Sequence, residues 1–476
     1  MFTLNDILQG NKGKLEMVCA QQPDPDLTFH AAHHDSRQIG PGDLFLAIKG
    51  AKVDGHTFIT KAAQAGAKAA LCEHPVPASD VPADFIQFVV PNVVEALHNT
   101  ARMRTRRQPE TTYIGITGSN GKTSTKEAIA TILSKVAPTL KTAASYNTEI
   151  GFPITLLNLE SHHRYAVLEM GAQWVGELAM LSTITRPDWS VITNVGASHL
   201  GYFGSQEQVT IAKSELVQVL EPDGIAILNY DDLRVRGMQE KTRARVLFYG
   251  TDEAADVRAT DIGGDALFGL HFTLHYRGEQ VPVQLRLPGE HGVTIALAAA
   301  AVGCAAQIPL STIAEALEEL TAFKRRGELK PGPNGSTIVD DSYNANRQSI
   351  IAIARAMKEA KQVSGKRWAV LGDILELGEY SRDEHYQTGE ALAGLVDYIV
   401  AIGDHARYFI EGANAAGLPA EQTWYYSANL ENTPELEAAK RATADLLKSQ
   451  VQASDLVLLK GSLGVGLDSL LRMLSE

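Results

Sequence analysis

The sequence predicts an α/β protein in three domains: a central one on a mostly parallel sheet, a small α/β unit before it and a doubly wound α/β unit after it. Three observations carry that expectation. The chain has 476 residues, too long for one hydrophobic core and long enough for about three domains. Its middle and last parts alternate short apolar strands with helical stretches, the pattern of parallel sheets covered on both faces. Two stretches break the alternation, one basic and one rich in Pro, Gly and charge, and these mark the borders.

The composition is that of an ordered globular chain, with 45% hydrophobic and 21% charged residues and no low-complexity tract. A formal charge of -13 argues against a nucleic-acid partner, because phosphate backbones are held by basic surfaces. Any anionic substrate must then be met by small, local cationic groups. Cys19, Cys72 and Cys304 are odd in number, far apart and without metal-ligand spacing, so they read as reduced core thiols of a cytosolic protein. The opening "MFTLNDILQG" has no basic stretch followed by an apolar run, so no signal peptide is expected. The longest uncharged run, "GVTIALAAAAVGCAAQIPL", is interrupted by small and polar residues and reads as a buried helix rather than a membrane span. A cytoplasmic monomer with no membrane insertion is the resulting expectation.

Taken in order, the first segment, 1–105, holds "PGDLFLAIKG", a turn and short strand, then "DGHTFITKAAQAGAKAAL", a helix leading into a strand. The basic "ARMRTRRQPETT", Ala101 to Thr112, reads as a linker. The second segment, 106–320, begins with the strand "TYIGIT" and continues through the strands "YAVLEMG", "WSVITNV" and "GIAILNY". Periodicity lapses in "LTAFKRRGELKPGPNG", and the third segment, 321–476, alternates "STIVDD", "RWAVLGD", "YIVAIGD" and "DLVLLKG" with helices such as "LEAAKRATADLLKSQ", a Rossmann-like pattern. No repeat of solenoid period is present.

The chemistry begins in "GITGSNGKTSTKEAIATIL", where a strand runs into glycines, then Lys-Thr-Ser, then a helical pattern. Gly118 and Gly121 allow a tight turn whose amides face one point, the helix start adds positive potential, and Lys122 brings a mobile charge. Phosphate is the natural guest, which makes the central domain a P-loop, ATPase-like unit, and the Thr123 hydroxyl is placed for Mg2+. The motif is a variant: Ile116 stands where the first glycine of the strict spacing belongs, and Gly115 lies one residue early. A kinase, a motor ATPase and an ATP-dependent ligase all use such a loop.

Glu169 ends the strand "YAVLEMG", and His199 follows "WSVITNVGAS". Both leave the sheet at its carboxyl edge, where ligands of such sheets bind. A carboxylate suits Mg2+, whereas histidine favours softer metals. Read alone, Glu169 also fits a helix cap or ion pair, His199 a satisfied loop histidine, and Lys213 in "IAKSELVQVL" a solvated lysine on a helix surface.

Together these residues resemble a known family. "GITGSNGKTS", "VLEMGA" and His199 followed fourteen residues later by Lys213 are similar to the central domain of the Mur ligases, ATP-dependent amide-forming enzymes of peptidoglycan precursor synthesis. The first segment's "DSRQIGPGDLFLAIKGAKVDGHTFITKAAQAGAKAAL" resembles the uridine-nucleotide-binding domain of the third and fourth amino-acid-adding members. "IVDDSYNANRQSI" and "VLGDILELGEYS" look like the member that adds D-alanyl-D-alanine to UDP-N-acetylmuramoyl-tripeptide. The diamino-acid-adding member and a P-loop kinase are the alternatives.

The resemblance implies roles position by position. Gly118, Ser119, Asn120, Gly121, Lys122, Thr123 and Ser124 would hold the ATP phosphates. Thr123, Glu169, His199 and a carbamylated Lys213 would bind Mg2+, with Lys122, Lys213, Glu169 and His199 forming the catalytic set. His291, Arg326 and Asp341 would complete the nucleotide site. Asp35, Ser36 and Arg37 would hold the uridine diphosphate end, Asn147 and Thr148 in "SYNTEIGFP" the muramoyl portion, and Asn344 and Asn346 the facing wall. The third domain would close over ATP about a hinge near Thr321 to Gly332. Four departures from the family pattern stand out: Gly292 and Ile295 replace asparagines after His291, Arg347 replaces a proline, Leu463 replaces an arginine, and Thr148 replaces the second of a pair of asparagines.

Overall fold

The computed structural model describes every residue except Ala51, Lys52, Ala144, Ser145, Ala197, Ser198, His199, Glu290 and Glu476. It divides into two compact units: Met1–Asn194 with Thr210–Leu247, and Val195–Val209 with Phe248–Glu476.

Besides a two-stranded ribbon of Phe2–Thr3 and Thr28–Phe29, the first unit carries two larger sheets. The smaller orders Glu16–Val18, Ile86–Val89, Ala69–Cys72, Leu44–Leu46 and Ala32–His33, all pairs parallel except the first. Its core of Phe45, Ile59, Ala62, Ala70 and Phe85 comes from the strand and helix segments of the sequence pattern. The stretch expected to be a linker is different: Val93–Arg106 is one helix, capped by the Asn92 side chain, so Ala101 to Arg106 belong to it. Two of the arginines face a buried acid, with Arg107 Nη1 2.8 Å and Arg104 Nη1 3.8 Å from the carboxylate of Asp6. A run of cations that reads as a linker is thus partly neutralised by one distant carboxylate.

The larger sheet of this unit places Thr112–Thr117 at its centre. On one side lie Tyr165–Glu169 and Thr139–Lys141, on the other Trp189–Ile192 and Ile225–Asn229, all parallel. The central strands are mostly apolar and buried nearly along their whole length because both faces are covered. Their carboxyl ends stand level, Glu169 pairing with Ile116 and Ile192 with Thr117.

In the second unit the strands Val257–Asp265, Gly269–Tyr276 and Glu279–Leu285 form an antiparallel meander, which the expectation of a mostly parallel sheet did not contain. The helix His291–Ala305 is buried on nearly every side, as the small-residue run implied. A six-stranded sheet follows in the order Glu328–Pro331, Thr337–Asp340, Leu456–Lys460, Arg367–Gly372, Tyr398–Gly403 and Thr423–Ser427, parallel apart from the first pair. Helices on both faces give it two apolar cores. A third cluster takes Leu267, at the tip of the meander, in among Val339, Ile353, Met357, Leu456 and Leu458. Asp265 fixes that tip, its carboxylate accepting the amides of Leu267 at 2.9 Å and Lys361 at 3.0 Å.

The three cysteines are free. Burial pushes the thiols of Cys72 and Cys304 up to about 12, while Cys19 is only half-buried. No helix among the described residues is long and apolar enough to cross a membrane.

Candidate active site

The strand Thr112–Thr117 gives way to the helix Lys122–Ser134 through a turn that two glycines make possible. Gly118 has φ +149° and Gly121 φ +78°, conformations that side chains rarely adopt. A Cβ on Gly118 would lie 1.9 Å from Thr193 Oγ1, so the turn closes only with glycine there. The neighbouring strand end braces it. Asn194 accepts the amide of Ser119 on its carbonyl and that of Asn120 on its side chain, both at 2.9 Å, while Thr193 Oγ1 donates to Asn120 O at 2.7 Å. Lys122 Nζ donates back to Gly118 O at 2.7 Å and Ser119 O at 3.1 Å. The helix therefore starts at the carboxyl edge with its dipole and first-turn amides directed at the turn, an anion site by construction. Ser124 is buried at this first turn, and Thr123 is half-buried.

Glu169 ends the adjacent strand and is 2% exposed. Its amide donates to Thr142 Oγ1 at 2.9 Å, and its Oε1 accepts from Asn147 Nδ2 at 2.8 Å. Its other oxygen, Oε2, is buried with no hydrogen-bond partner among the described residues. A buried carboxylate oxygen of this kind is costly unless a cation meets it, and an all-oxygen set of Glu169 with Thr123 suits Mg2+.

Lys213, on the helix Gln206–Gln218, overturns the reading of a solvated lysine: it is 2% exposed. Its Nζ lies 3.4 Å from Ala172 O. Burial, with the charge of Lys122 second, lowers its pKa to about 7, against the pull of Glu177 and Glu215. Burial raises the Glu177 carboxyl above its ordinary value. Glu215 accepts the amides of Gly176 and Ala179, the latter at 3.0 Å. Thr193 and Asn194 were not singled out from the sequence, since only the level strand ends bring them to the loop, nor were Glu177 and Glu215, which lie on helices and act on Lys213.

His199 lies outside the described residues. Without it, no three His, Cys, Asp or Glu side chains among the described residues form a metal-ligand group.

Asp35 and Arg37 occupy a turn of the small sheet as a close pair, Arg37 Nη2 to Asp35 Oδ2 at 2.7 Å. The Arg37 guanidinium holds the Asp35 carboxyl well below its usual range, and Ser36 between them is half-buried. Thr148 is exposed, its carbonyl starting the helix Gly151–Leu157 by accepting from Phe152.

In the second unit, a cluster forms around the strand end Thr337–Asp340. The Arg326 guanidinium lies 4.2 Å from the Tyr343 ring centroid. Lys460, 2% exposed, donates to Asp341 Oδ2 at 2.5 Å and to Asn344 O at 3.0 Å. Asn346 serves as a helix cap, accepting the Ser349 amide at 2.9 Å in a capping box. Arg347, at the first helical position where proline is at home, pairs with Glu384 at 3.3 Å. Leu463 is 52% exposed. His291 begins its helix exposed, while Gly292 and Ile295 are buried, so the two departures there contribute packing.

Comparison with known proteins agrees along the chain. A family model described as Mur ligase middle domain matches residues 116–303, one described as Mur ligase, glutamate ligase domain matches 325–463, and one described as Mur ligase family, catalytic domain matches 28–107. The UDP-N-acetylmuramoyl-tripeptide--D-alanyl-D-alanine ligase of Mycobacterium tuberculosis (strain ATCC 25618 / H37Rv) is 36% identical over 461 residues, covering 91% of this chain and 89% of that protein. A crystal structure of MurF from Acinetobacter baumannii superposes with a TM-score of 0.84 at 32% identity, covering 100% of this chain and 99% of that one. The MurF ligase from Thermotoga maritima in complex with ADP gives 0.77 at 27% identity, covering 94% and 97%. The three-domain α/β fold is shared with these two structures.

Proposed function

The chain belongs to the Mur ligase family, and we propose that it is the ATP-dependent ligase that joins D-alanyl-D-alanine to UDP-N-acetylmuramoyl-tripeptide. The product is UDP-N-acetylmuramoyl-pentapeptide for peptidoglycan synthesis in the cytoplasm. The full-length likeness to relatives of that name supports the substrates. The observation that carries the chemistry is the buried, half-satisfied carboxylate of Glu169 beside a glycine-bent phosphate loop.

A carboxylate is a poor electrophile, so an amide forms at neutral pH only after activation. Transfer of the γ-phosphoryl group of ATP to the tripeptide's terminal carboxylate gives an acyl phosphate and ADP. The amine of D-alanyl-D-alanine then attacks the acyl carbon, and the tetrahedral intermediate collapses to amide and inorganic phosphate. Two anions meet in the first step, so the work is mainly electrostatic. In this reading, Lys122 leaves the loop carbonyls to follow the migrating charge, and the amides at the start of its helix hold the phosphates. Thr123 and Glu169, with His199, would hold Mg2+, which when bound neutralises phosphate oxygens.

Lys213 fits carbamylation on its own chemistry. Attack on carbon dioxide needs the neutral amine, and a pKa lowered to about 7 by burial makes a large share of it neutral at physiological pH. Asp35, Ser36 and Arg37 would take the uridine diphosphate end. Asn147 and Thr148 would face the muramoyl portion, and His291, Arg326, Asp341 and Asn344 would meet nucleotide and dipeptide. The domain borders at 105/106 and 320/321 belong to the same proposal.

The test is phosphate release from ATP with purified UDP-N-acetylmuramoyl-tripeptide, adding D-alanyl-D-alanine or single amino acids in turn. Release that needs both tripeptide and dipeptide is the expected result. Release with a diamino acid on UDP-N-acetylmuramoyl-dipeptide, or a stable phosphorylated product formed without an amine, would assign a different reaction.

A further inference from the structure

Lys126 stands one turn beyond Lys122 on the phosphate-loop helix, yet it is completely buried. Among the described residues its ammonium meets Thr142 O at 2.7 Å and Glu127 Oε1 at 3.0 Å. Lysine is rarely buried whole without partners, and apolar groups of similar volume often serve stability as well as a buried ion pair. Packing therefore gives no reason for an ammonium here, but the group it holds does. Thr142 follows directly on the strand Thr139–Lys141, and its amide donates to Val167 O at 3.0 Å. Its hydroxyl accepts the Glu169 amide at 2.9 Å. Further along the same segment, Asn147 donates its Nδ2 to Glu169 Oε1 at 2.8 Å and accepts the Gly171 amide at 2.9 Å on its carbonyl. Glu169 is thus held from one segment by backbone and by side chain. Lys126 ties that segment to the helix carrying the phosphate loop.

We propose that Lys126 is a positioning residue which, through Thr142, fixes Glu169 relative to the phosphate loop so that its unpartnered oxygen meets the cation on the nucleotide. This rests on the reading of Glu169 as a cation ligand. It adds to that reading a residue that touches neither nucleotide nor metal and acts by geometry alone.

The experiment titrates ADP into the full-length protein by calorimetry at stepped Mg2+ concentrations, with thermal unfolding alongside, for Lys126→Met, Thr142→Val, Thr142→Ser and Glu169→Gln. Removing partners that orient a ligand commonly costs metal affinity about ten- to a hundredfold. Lys126→Met and Thr142→Val should each raise the Mg2+ concentration for half-maximal ADP binding by roughly that factor. Metal-free ADP affinity should stay near that of the wild type, and Thr142→Ser, which keeps the accepting hydroxyl, should restore the Mg2+ response. If Glu169→Gln shifts the Mg2+ response while Lys126→Met and Thr142→Val do not, the positioning role is refuted. If metal-free ADP binding falls by the same factor as Mg2+-dependent binding, Lys126 only packs the loop and the proposal fails. An unshifted Glu169→Gln removes the reading of Glu169 itself, and this inference with it. Should Lys126→Met not fold, Thr142→Val decides alone.

Discussion

Because burial and the neighbouring charge of Lys122 bring the Lys213 ammonium down to about 7, its protonation changes within the ordinary range of pH, and the sign follows. The folded value lies below the ordinary lysine value of 10.5, so between the two the unfolded chain binds more protons and stability rises with pH. The cost of burying the charge is full below the folded value and is lost as pH climbs towards the unfolded one. In carbon-dioxide-free buffer, Lys213→Met should melt above the wild type at pH 6.5, with the gap closing by pH 10; calorimetric scans at four pH values check this. Nothing in the string "IAKSELVQVL" distinguishes this lysine, or Lys126, from a surface one, because which helix face is covered depends on strands far away in sequence. Glu169 was readable from its position at a strand end. That its second oxygen lacks a partner was not, since that depends on the side chains around it.

At the scale of elements, the glycine turn before the helix Lys122–Ser134 was legible because everything that makes it is local: an apolar strand, two glycines that accept positive φ, and a helix start. Its bracing by Thr193 and Asn194 was not, because pairing of Trp189–Ile192 beside Thr112–Thr117 brings them there. The helix Val93–Arg106 escaped notice for the opposite reason, its last turns being so basic that only distant partners explain them, the buried Asp6 and the carbonyls of Leu159 and Thr183. Asn346 shows how one residue admits two accounts. As the cap of the helix Arg347–Glu359, its replacement by alanine should cost about 1 kcal/mol of stability. If the side chain also faces substrate, KM for D-alanyl-D-alanine rises beyond what lost folding explains. Denaturant melts beside steady-state kinetics of Asn346→Ala separate the two, since a pure cap leaves KM unchanged at a temperature where the variant is folded.

For the whole molecule, an α/β chain built around parallel sheets could be read from alternating strands and helices, but its compact units follow packing rather than sequence order. The antiparallel meander Val257–Leu285 sends Leu267 into the core beside Ile353, Met357 and Leu458, so residues after Phe248 group with the six-stranded sheet. Leu267→Ala should destabilise the protein by about 2–5 kcal/mol, the range for emptying a buried leucine site. Urea unfolding followed by the fluorescence of Trp368, which lies in this six-stranded sheet, would measure it. The same peg-and-socket joint governs how the gene can be cut. A fragment beginning at residue 321 would leave the socket residues Val339, Met357 and Leu456 wet, and such a piece would be expected to clump or be digested. One beginning at Phe248 keeps the peg, and is where dissection of this ligase into soluble parts should start.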